Sequence, residues 1–360
     1  MKLRVALLFG GRSGEHDVSV LSAANIFRAL DPERYEIVPI AITRDGKWLL
    51  CPLSDGVFPA AVPEHGAQAS LLPGGRGRLL VVQEDDPNRL DASLAVDVLF
   101  PALHGPYGED GTVQGLAELA DVPYVGSAVL GSASAMDKDV AKRLMIQAGL
   151  PTARFVSLRL GQPISFETVS RELGRPVFVK PARLGSSIGV SKASSTQEFE
   201  RAVAEAFRHD DKILIEECVI GREIECGVLE NEDGSLLVSA PGEIVPTNRH
   251  DFYTYEAKYL DDNGALIKVP ADVPDSVVAT AQKLAGDVFQ TLGCQGLARV
   301  DFFLRQDGSL LINEVNTLPG FTNISMYPKV LEASGVSYAV LVDRLIRHAL
   351  ARKKSKARVG

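Results

Sequence analysis

The chain has few cysteines, and their spacing matches neither a metal site nor a disulfide-rich scaffold. The four are Cys51, Cys218, Cys226 and Cys294, and no two of them form a Cys-x-x-Cys motif. This spacing argues against structural zinc and against a disulfide framework. We therefore expect the protein to work in a reducing compartment.

Long apolar runs and an excess of positive charge are also missing. No apolar stretch in the sequence is long enough to span a bilayer, and the first strand begins without a preceding signal-peptide core. The net charge of −8 argues against a nucleic-acid surface. We predict a cytoplasmic protein with no membrane partner and no nucleic-acid partner.

The composition is that of a globular protein with more than one domain. Its 360 residues are 46% hydrophobic and 23% charged, and this length exceeds what a single core usually serves. Apolar strands at 3–9, 35–42 and 95–103 alternate with a helix at 18–30, as in a doubly wound α/β domain. We place that domain at residues 1–137.

Two further units are predicted after this domain, at residues 138–219 and 220–360. The first contains a strand that ends at Lys180, and the second contains a helix at 275–292. The Pro- and Gly-rich stretch 51–89 is expected to be irregular, and no function is assigned to it.

A hairpin near the C-terminal end carries the most informative pattern. Apolar, β-rich runs at 298–304 and 310–316 flank Asp307-Gly308, which is a two-residue hairpin turn signal. Alternate residues of a strand share one face, so this turn places four polar side chains together. The opposed pairs are Asp301 with Glu314 and Arg299 with Asn316.

Carboxylates that face each other across a sheet need a compensating charge. Like charges directly opposite destabilise a sheet, and Asp301 faces Glu314 in this register. With the amide oxygen of Asn316 they make a hard oxygen site that suits Mg²⁺ carrying substrate phosphates. The alternative is an ordinary hairpin with a polar outer face, and a different loop register would undo the pairing.

Other polar segments fit a phosphate site but are not specific by themselves. The Gly/Ser loop after Lys180 offers backbone N–H groups to phosphates, although a plain hairpin turn has the same composition. Lys138 opens a helix, where a cation is disfavoured and a phosphate partner would explain it; a solvated lysine is the alternative. Acidic residues that are equally compatible with a solvated strand end are Glu216, Glu217 and Glu223.

The loop at 104–111 and Glu15 lie beyond the carboxyl ends of predicted parallel strands. Ligands of open α/β sheets bind at that edge, so these residues could share one crevice. Two ordinary loops are the alternative. Further along, Tyr253, Tyr255 and Tyr259 either form a lid over a site or pack their loop against a core.

Together these segments resemble the D-alanine–D-alanine ligase family of the ATP-grasp superfamily. The resemblance follows the chain in order and covers nearly all of it, and the His-Gly and Asn-Thr-x-Pro-Gly runs are its most specific parts. The matching segments are residues 10–15 with 18–19, 104–111, 136–138, 180–181 with 185–189, 255–259, 299–301, 314–320 and Ser325.

The resemblance implies a fold and an activity. The expected fold is a three-domain ATP-grasp fold, with an N-terminal doubly wound parallel-sheet domain and two α+β domains that sandwich ATP. The expected enzyme joins two D-alanines to D-alanyl-D-alanine through an acylphosphate, with release of ADP and phosphate, for peptidoglycan precursor synthesis. The implied partners are D-alanine, ATP and a second copy of the chain, because the family is commonly dimeric.

The resemblance also implies roles for individual residues. Two Mg²⁺ ions, which Mn²⁺ can replace, would be held by Asp301, Glu314 and Asn316. ATP would be bound by Lys138, Lys180, Ser186, Ser187, Glu216, Glu217, Val219, Glu223, Lys258, Phe303, Asn313 and Glu314. The D-alanines and the tetrahedral intermediate would be bound by Glu15, His104, Arg299, Gly320 and Ser325. A catalytic latch that closes the site to water would be formed by Glu15, Ser186 and Tyr259.

Three alternatives stay open on the sequence. A D-alanine–D-lactate ligase shares the fold, although the run at 256–259 resembles the dipeptide-forming group. A nicotinamide dehydrogenase would explain the Gly-rich turn at 10–14, but that turn lacks the GxGxxG spacing. A nucleotide-binding regulator without turnover should have lost some catalytic residues, and none of the expected set is missing.

Overall fold

The computed structural model describes residues 2–86, 88–246 and 265–356. Three sheets follow one another along this part of the chain, and helices pack on each of them. The architecture is therefore the mixed α/β class predicted from the sequence. Within the described residues, no helix has both the length and the apolar character needed to cross a bilayer.

The first sheet is mixed rather than wholly parallel. Its strands are β1 (Leu3–Gly10), β2 (Tyr35–Ile42), β3 (Trp48–Leu50), β4 (Gln68–Leu71), β5 (Leu79–Val82), β6 (Leu90–Asp91) and β7 (Val98–Pro101). They lie in the order β6-β5-β4-β3-β2-β1-β7. The predicted parallel pairing holds for β1 with β2 and with β7, whereas the other neighbours are antiparallel.

The stretch 51–89 is more regular than predicted. It contains β4 and β5, which extend the sheet in antiparallel fashion, so the expectation of an irregular segment is wrong there. Leu71, Leu79 and Val81 are buried and alternate with more exposed neighbours, as in half-buried strands. Each strand is only 4 residues long, so its alternating pattern is short compared with the turn signals of the surrounding Pro and Gly residues.

The C-terminal helix shares a core with the first strand. Three helices follow strands of the first sheet: α1 (His16–Ala29), α2 (Thr112–Leu119) and α3 (Val129–Met136). The last helix, α9 (Tyr338–Lys356), buries Leu345 and Ile346 in the cluster that holds Phe9 of β1. The end of the chain is thereby packed against its beginning. The domain boundaries at 137/138 and 219/220 stay predictions.

The second sheet has four antiparallel strands. They are β8 (Phe155–Arg159), β9 (Val177–Pro181), β10 (Ser191–Ala193) and β11 (Lys212–Glu217), in the order β10-β9-β11-β8. The helices of this region are α4 (Lys138–Gln147), α5 (Phe166–Leu173) and α6 (Thr196–Ala206). Ser165 and Ser195 begin α5 and α6 as N-caps, because each hydroxyl accepts a backbone N–H of the first turn.

The third sheet has six strands and contains the predicted hairpin. The strands are β12 (Arg222–Glu230), β13 (Leu236–Val238), β14 (Gly242–Pro246), β15 (Ala265–Lys268), β16 (Leu297–Leu304) and β17 (Leu310–Asn316). The order is β15-β14-β12-β16-β17, and β13 pairs with β12. The remaining helices are α7 (Asp275–Thr291), which packs on this sheet, and α8 (Met326–Ala333).

The hairpin has the predicted pairing but not the predicted turn. Asp301 pairs with Glu314, and Arg299 pairs with Asn316. The turn is closed by a hydrogen bond of 2.9 Å from the Arg305 N–H to the Ser309 carbonyl, which leaves three residues in the loop instead of two. The register then shifts by one residue between Asp301 and Phe302.

Candidate active site

A cleft of about 450 Å³ lies between the second and third sheets. One wall consists of β9, the Gly/Ser loop and the end of β11, and the other consists of β12, β14, β16 and β17. The predicted ATP-binding residues that line it are Lys138, Lys180, Ser187, Glu216, Glu217, Val219, Glu223, Phe303, Asn313 and Glu314. Of the other two predicted ATP-binding residues, Ser186 is not part of the cleft wall and Lys258 lies outside the described residues.

Charged side chains form a buried cluster at this cleft. Glu216 is 4% exposed, and its carboxylate lies 3.1 Å from the Lys142 ammonium and 2.8 Å from that of Lys180. Burial opposes the charge of Glu216, but the two lysines outweigh it and lower the pKa of this carboxyl. Lys180 also lies 3.5 Å from the Asn313 amide oxygen. Contacts with residues of both walls therefore position the Lys180 ammonium. No sequence pattern singles out Lys142, which is fully buried.

Lys138 connects the Gly/Ser loop to the hairpin. Its ammonium donates to the Leu184 carbonyl at 2.7 Å and lies 3.4 Å from Glu314. It occupies the first position of α4, where Asp137 caps the helix by accepting the Val140 N–H. These acidic neighbours compensate a cation at a helix start, which is an unfavourable position by itself.

At the hairpin, an arginine accompanies the two predicted carboxylates. Arg299 donates to Asp301 through Nε at 2.7 Å and Nη2 at 2.8 Å, and its Nε lies 2.9 Å from Glu225. Burial disfavours the charged guanidinium, but the carboxylates outweigh it and raise the pKa of Arg299 well above its usual range. Arg299 thus supplies part of the compensating charge that the sequence assigned to a cation. Glu225 is a further member that no sequence pattern singled out.

The donor set still fits a divalent cation that carries phosphates. Asp301, Glu225 and Glu314 all act on one guanidinium, so the cluster has an excess of negative charge. Asn316 donates its Nδ2 to Asp301 at 3.0 Å, and a half-turn of the amide would present its oxygen instead. Within the described residues, no group of three His, Cys, Asp or Glu side chains is placed to hold a metal by itself. Phosphate oxygens would have to complete the coordination.

A hydrogen bond joins the Gly/Ser loop to the first domain. The Ser186 hydroxyl donates to Oε1 of Glu15, and both side chains are buried. Ser186 and Ser187 have φ angles of +54° and +59°, which non-glycine residues rarely adopt. Two of the three predicted latch residues are therefore in contact, and the third, Tyr259, is outside the described residues.

His104 is fully hydrogen-bonded within the protein. Its Nδ1 lies 3.0 Å from the Leu318 carbonyl oxygen, and its Nε2 lies 3.1 Å from the Ser22 hydroxyl. Burial lowers the pKa of His104, although Glu15 acts in the opposite direction. Through these two contacts, the predicted substrate residue His104 binds another part of the site. Ser22 is a small polar residue inside α1 and carries no sequence signal.

Glu109 occupies the same crevice. Its carboxylate accepts the Gly105 N–H at 2.7 Å and the Leu318 N–H at 3.4 Å. Burial and then the charge of Glu15 raise the pKa of Glu109 to about 8. Glu109 belongs to the run at 104–111, but the sequence did not distinguish it from its neighbours.

Gly320 and Ser325 approach each other closely. A Cβ at Gly320 would lie 2.7 Å from the Ser325 hydroxyl. That hydroxyl accepts the Thr322 N–H at 2.9 Å, which limits its freedom to move. Among the residues that the structure describes, none accepts a hydrogen bond from the Gly320 N–H.

The cleft and the N-terminal crevice meet at one small cavity of about 20 Å³. Its walls include Lys138, Glu314 and Asn316 from the cleft side, and Gly105 and Glu109 from the crevice side. The cleft and the crevice therefore adjoin at this cavity, which has room for about one water molecule.

Two family models match successive parts of the chain. The model described as the D-ala D-ala ligase N-terminus matches residues 4–127, and the D-ala D-ala ligase C-terminus matches residues 144–347. The chain belongs to the D-alanine–D-alanine ligase family. The family resemblance stated from the sequence is thereby confirmed.

Relatives in this ligase family match over the full length. The chain is 59% identical over 362 residues to D-alanine–D-alanine ligase A of Mesorhizobium japonicum, with 99% of each chain covered. It is 50% identical over 352 residues to ligase A of Brucella suis, with 98% of each chain covered.

Solved ligases have the same fold. The D-alanine–D-alanine ligase of Coxiella burnetii superposes with a TM-score of 0.86 at 36% identity, covering 99% of this chain and 97% of that one. The VanG D-Ala:D-Ser ligase of Enterococcus faecalis gives 0.84 at 33% identity, covering 97% and 100%. The predicted ATP-grasp fold is thus confirmed, but the fold is shared by ligases that differ in the second substrate.

Proposed function

We propose that this chain joins two D-alanines to D-alanyl-D-alanine at the expense of ATP, for peptidoglycan precursor synthesis. The observation that carries the proposal is the small cavity lined by Lys138, Glu314 and Asn316 on one side and by Gly105 and Glu109 on the other. A terminal phosphoryl group in the cleft and a carboxylate held near the N-terminal crevice would approach each other from its two sides. The walls would have to part for this contact, because the cavity itself has room for about one water molecule. Family membership supports the same assignment.

ATP would occupy the 450 Å³ cleft. A ligase of Bacillus anthracis solved in complex with ATP has the same fold, with a TM-score of 0.72 at 27% identity and 98% of this chain covered. Lys138 and Lys180 would neutralise phosphate oxygens, and Asp301, Glu314 and Asn316 would hold two Mg²⁺ ions. Bound Mg²⁺ would supply charge neutralisation on the phosphates.

The first D-alanine would be activated at the junction of the cleft and the crevice. Glu15 would pair with its ammonium group. One of its carboxylate oxygens would bond to the γ-phosphorus while the bond to the bridging oxygen of ADP breaks, which yields an acylphosphate. The contact between Ser186 and Glu15 would close the loop over this intermediate and keep out water, which would otherwise hydrolyse it.

The second D-alanine would complete the reaction. Ser325 would bind its carboxylate, and its uncharged amine would attack the acyl carbon. The tetrahedral oxyanion would be stabilised by Arg299 and by the Gly320 N–H, which has no acceptor among the described residues. Loss of one such donor typically lowers turnover by about a hundred- to a thousandfold. The adduct would then expel phosphate with the electrons of the C–O bond, and the amine would lose its proton.

The test is to incubate the purified protein with ATP, Mg²⁺ and D-alanine, and to follow phosphate release together with product mass. We expect one phosphate for each D-alanyl-D-alanine and none with L-alanine. D-Serine or D-lactate, each offered together with D-alanine, would reveal a ligase with a different second substrate. ATP binding without D-alanine-dependent turnover would contradict the proposal and favour a regulator.

A homodimer and a cytoplasmic location belong to the same proposal and rest on the family resemblance. Analytical ultracentrifugation at micromolar concentration should give twice the mass of 38.7 kDa. A single monomeric species at micromolar concentration would contradict the dimer without affecting the proposed reaction.

A further inference from the structure

The loop that contains Gly320 is held by side chains of the N-terminal region. We call residues 318–321 the Gly320 loop. In sequence it follows β17 of the third sheet after one residue, Thr317. In space it lies against α1, and Ser22 of that helix is fully buried at the contact.

Both ends of the Gly320 loop are bound by one connected set of hydrogen bonds. The Phe321 N–H donates to the Ser22 hydroxyl at 3.2 Å. The Ser22 hydroxyl lies 3.1 Å from Nε2 of His104, and Nδ1 of the same ring lies 3.0 Å from the Leu318 carbonyl oxygen. Ser22 and His104 thus bridge the two residues that flank Pro319-Gly320.

Chemistry determines the direction of every bond in this set. A carbonyl oxygen can only accept, so Nδ1 of His104 carries the proton toward Leu318. In the neutral ring Nε2 is then an acceptor, and the Ser22 hydroxyl must donate to it. The lone pairs of that hydroxyl remain for the Phe321 N–H. Burial, which lowers the pKa of His104, favours this neutral form.

Two further contacts support the same loop from the N-terminal region. Glu109 accepts the Leu318 N–H at 3.4 Å, and Asn25 donates its Nδ2 to the Phe321 carbonyl at 3.2 Å. The backbone N–H and C=O groups of both flanking residues are therefore bound. The Gly320 N–H between them has no acceptor among the described residues.

We propose that Ser22 is a positioning residue for the reaction, which acts through His104 and Phe321 to hold the Gly320 N–H in the direction of the tetrahedral oxyanion. This inference rests on the proposed function of Gly320. In this role Ser22 does not contact a substrate. Its effect is to limit the rotation of the peptide that carries the N–H, because a donor stabilises an oxyanion only if it is already oriented when charge develops.

The test compares Ser22→Ala and Ser22→Cys with Ser134→Ala. The Cys variant keeps the side-chain size but replaces the hydroxyl by a weaker hydrogen-bonding thiol. Ser134 is the matched control, since it is also buried and its hydroxyl donates to the Leu292 carbonyl at 2.9 Å, away from the Gly320 loop. The measurements are kcat, KM for ATP and D-alanine, and amide hydrogen exchange of the peptide that covers the Gly320 loop.

We expect Ser22→Ala to lower kcat by about tenfold, less than direct loss of an oxyanion donor, with both KM values within about twofold of wild type. Ser22→Cys should fall between wild type and Ala. Exchange in the Gly320 loop should accelerate in both Ser22 variants but not in Ser134→Ala. Binding of a phosphinate analogue of the tetrahedral adduct should weaken in parallel with kcat.

Two results would overturn the inference while leaving the proposed function intact. One is faster exchange of the loop with kcat and analogue binding unchanged. The other is a fall in kcat for Ser134→Ala as large as that for Ser22→Ala, which would indicate a general loss of stability. If Ser22→Ala does not fold, an unchanged kcat in Ser22→Cys would overturn the inference instead. Wild-type protein that forms no dipeptide would instead refute the proposed function.

Discussion

Asp301 lies opposite Glu314 because two irregularities of the hairpin offset each other. The three-residue loop by itself would pair Asp301 with Asn313. The register shift next to Asp301 is a bulge that adds one residue to β17 and restores the pairing with Glu314. Bulges also redirect side chains, and here Asn313 lies 3.5 Å from Lys180 of the opposite wall. The hairpin thus carries both the residues of the proposed metal site and the contact to Lys180 on the opposite wall.

The carboxylate pair leads to a prediction about metal. Asp301→Asn and Glu314→Gln should each raise the Mg²⁺ concentration needed for half-maximal activity by about tenfold or more, because each removes a charged ligand. The measurement is an activity titration with Mg²⁺ at saturating ATP. Asp307→Asn is the matched control, since it makes the same change on the same hairpin at an exposed turn. Titration curves identical to wild type for both test variants would refute the metal site.

The contact between Ser186 and Glu15 leads to a prediction about coupling. Ser186→Ala should loosen the closed loop and admit water to the acylphosphate, so that more than one phosphate is released for each dipeptide formed. Tyr259→Phe should act in the same direction, on the family resemblance. The ratio of phosphate to dipeptide is measured in one reaction mixture. A ratio of one in both variants would show that these hydroxyls do not exclude water.

The close approach at Gly320 leads to a prediction about its substitution. In Gly320→Ala the new methyl carbon would lie 2.7 Å from the Ser325 hydroxyl, so the loop or Ser325 must move. We expect kcat to fall by about tenfold or more, with a raised KM for the second D-alanine. Gly286→Ala in α7 is the control, because its methyl group would be 3.9 Å or more from its neighbours. Equal activity of the two variants would contradict the assignment of Gly320.

The pKa of about 8 at Glu109 leads to a prediction about pH. Burial and the charge of Glu15 raise this pKa, so the folded protein keeps a proton that the unfolded chain releases near pH 4.3. The protonated Glu109 carboxyl contributes fully to the free energy of unfolding below that pH. This contribution is lost as the pH rises toward 8. Relative to Glu109→Gln, the wild type should lose roughly 1.4 kcal/mol per pH unit in this window.

Denaturant unfolding of both proteins between pH 5 and 7 measures this difference (an assay range, about one unit inside each limit). Glu200→Gln is the control, because Glu200 is exposed on α6. A constant difference between wild type and Glu109→Gln across the range would show that Glu109 is ionised in the folded protein.

Local patterns anticipated much of the site. The strand alternation around Asp301 and Glu314 predicted which side chains share a face, because the two-residue period of a strand is a local property. The pairing came out correct although the turn was wrong, since the bulge offset the error. The family motifs named Glu15 and Ser186, and the structure brings these two together across 171 positions of the chain.

The missed residues share a physical property. Lys142, Ser22 and Glu225 act through buried contacts with residues far away in sequence. Each lies in an element where a polar residue is ordinary, so neither periodicity nor spacing marks it. The short strands of the stretch 51–89 were missed for a related reason, because sheet pairing with neighbours decides whether such short runs become strands.

By itself the sequence determined the fold class, the family and most of the charged and polar residues that line the cleft, because these follow from local periodicity and from motifs in order along the chain. Only the tertiary structure decided which charges are paired, which loop is held by which helix, and where the two halves of the site meet. Those relationships depend on distances between segments that are remote in sequence. Burial then sets the energy of each pair, since a charge removed from water must find its partner within the protein.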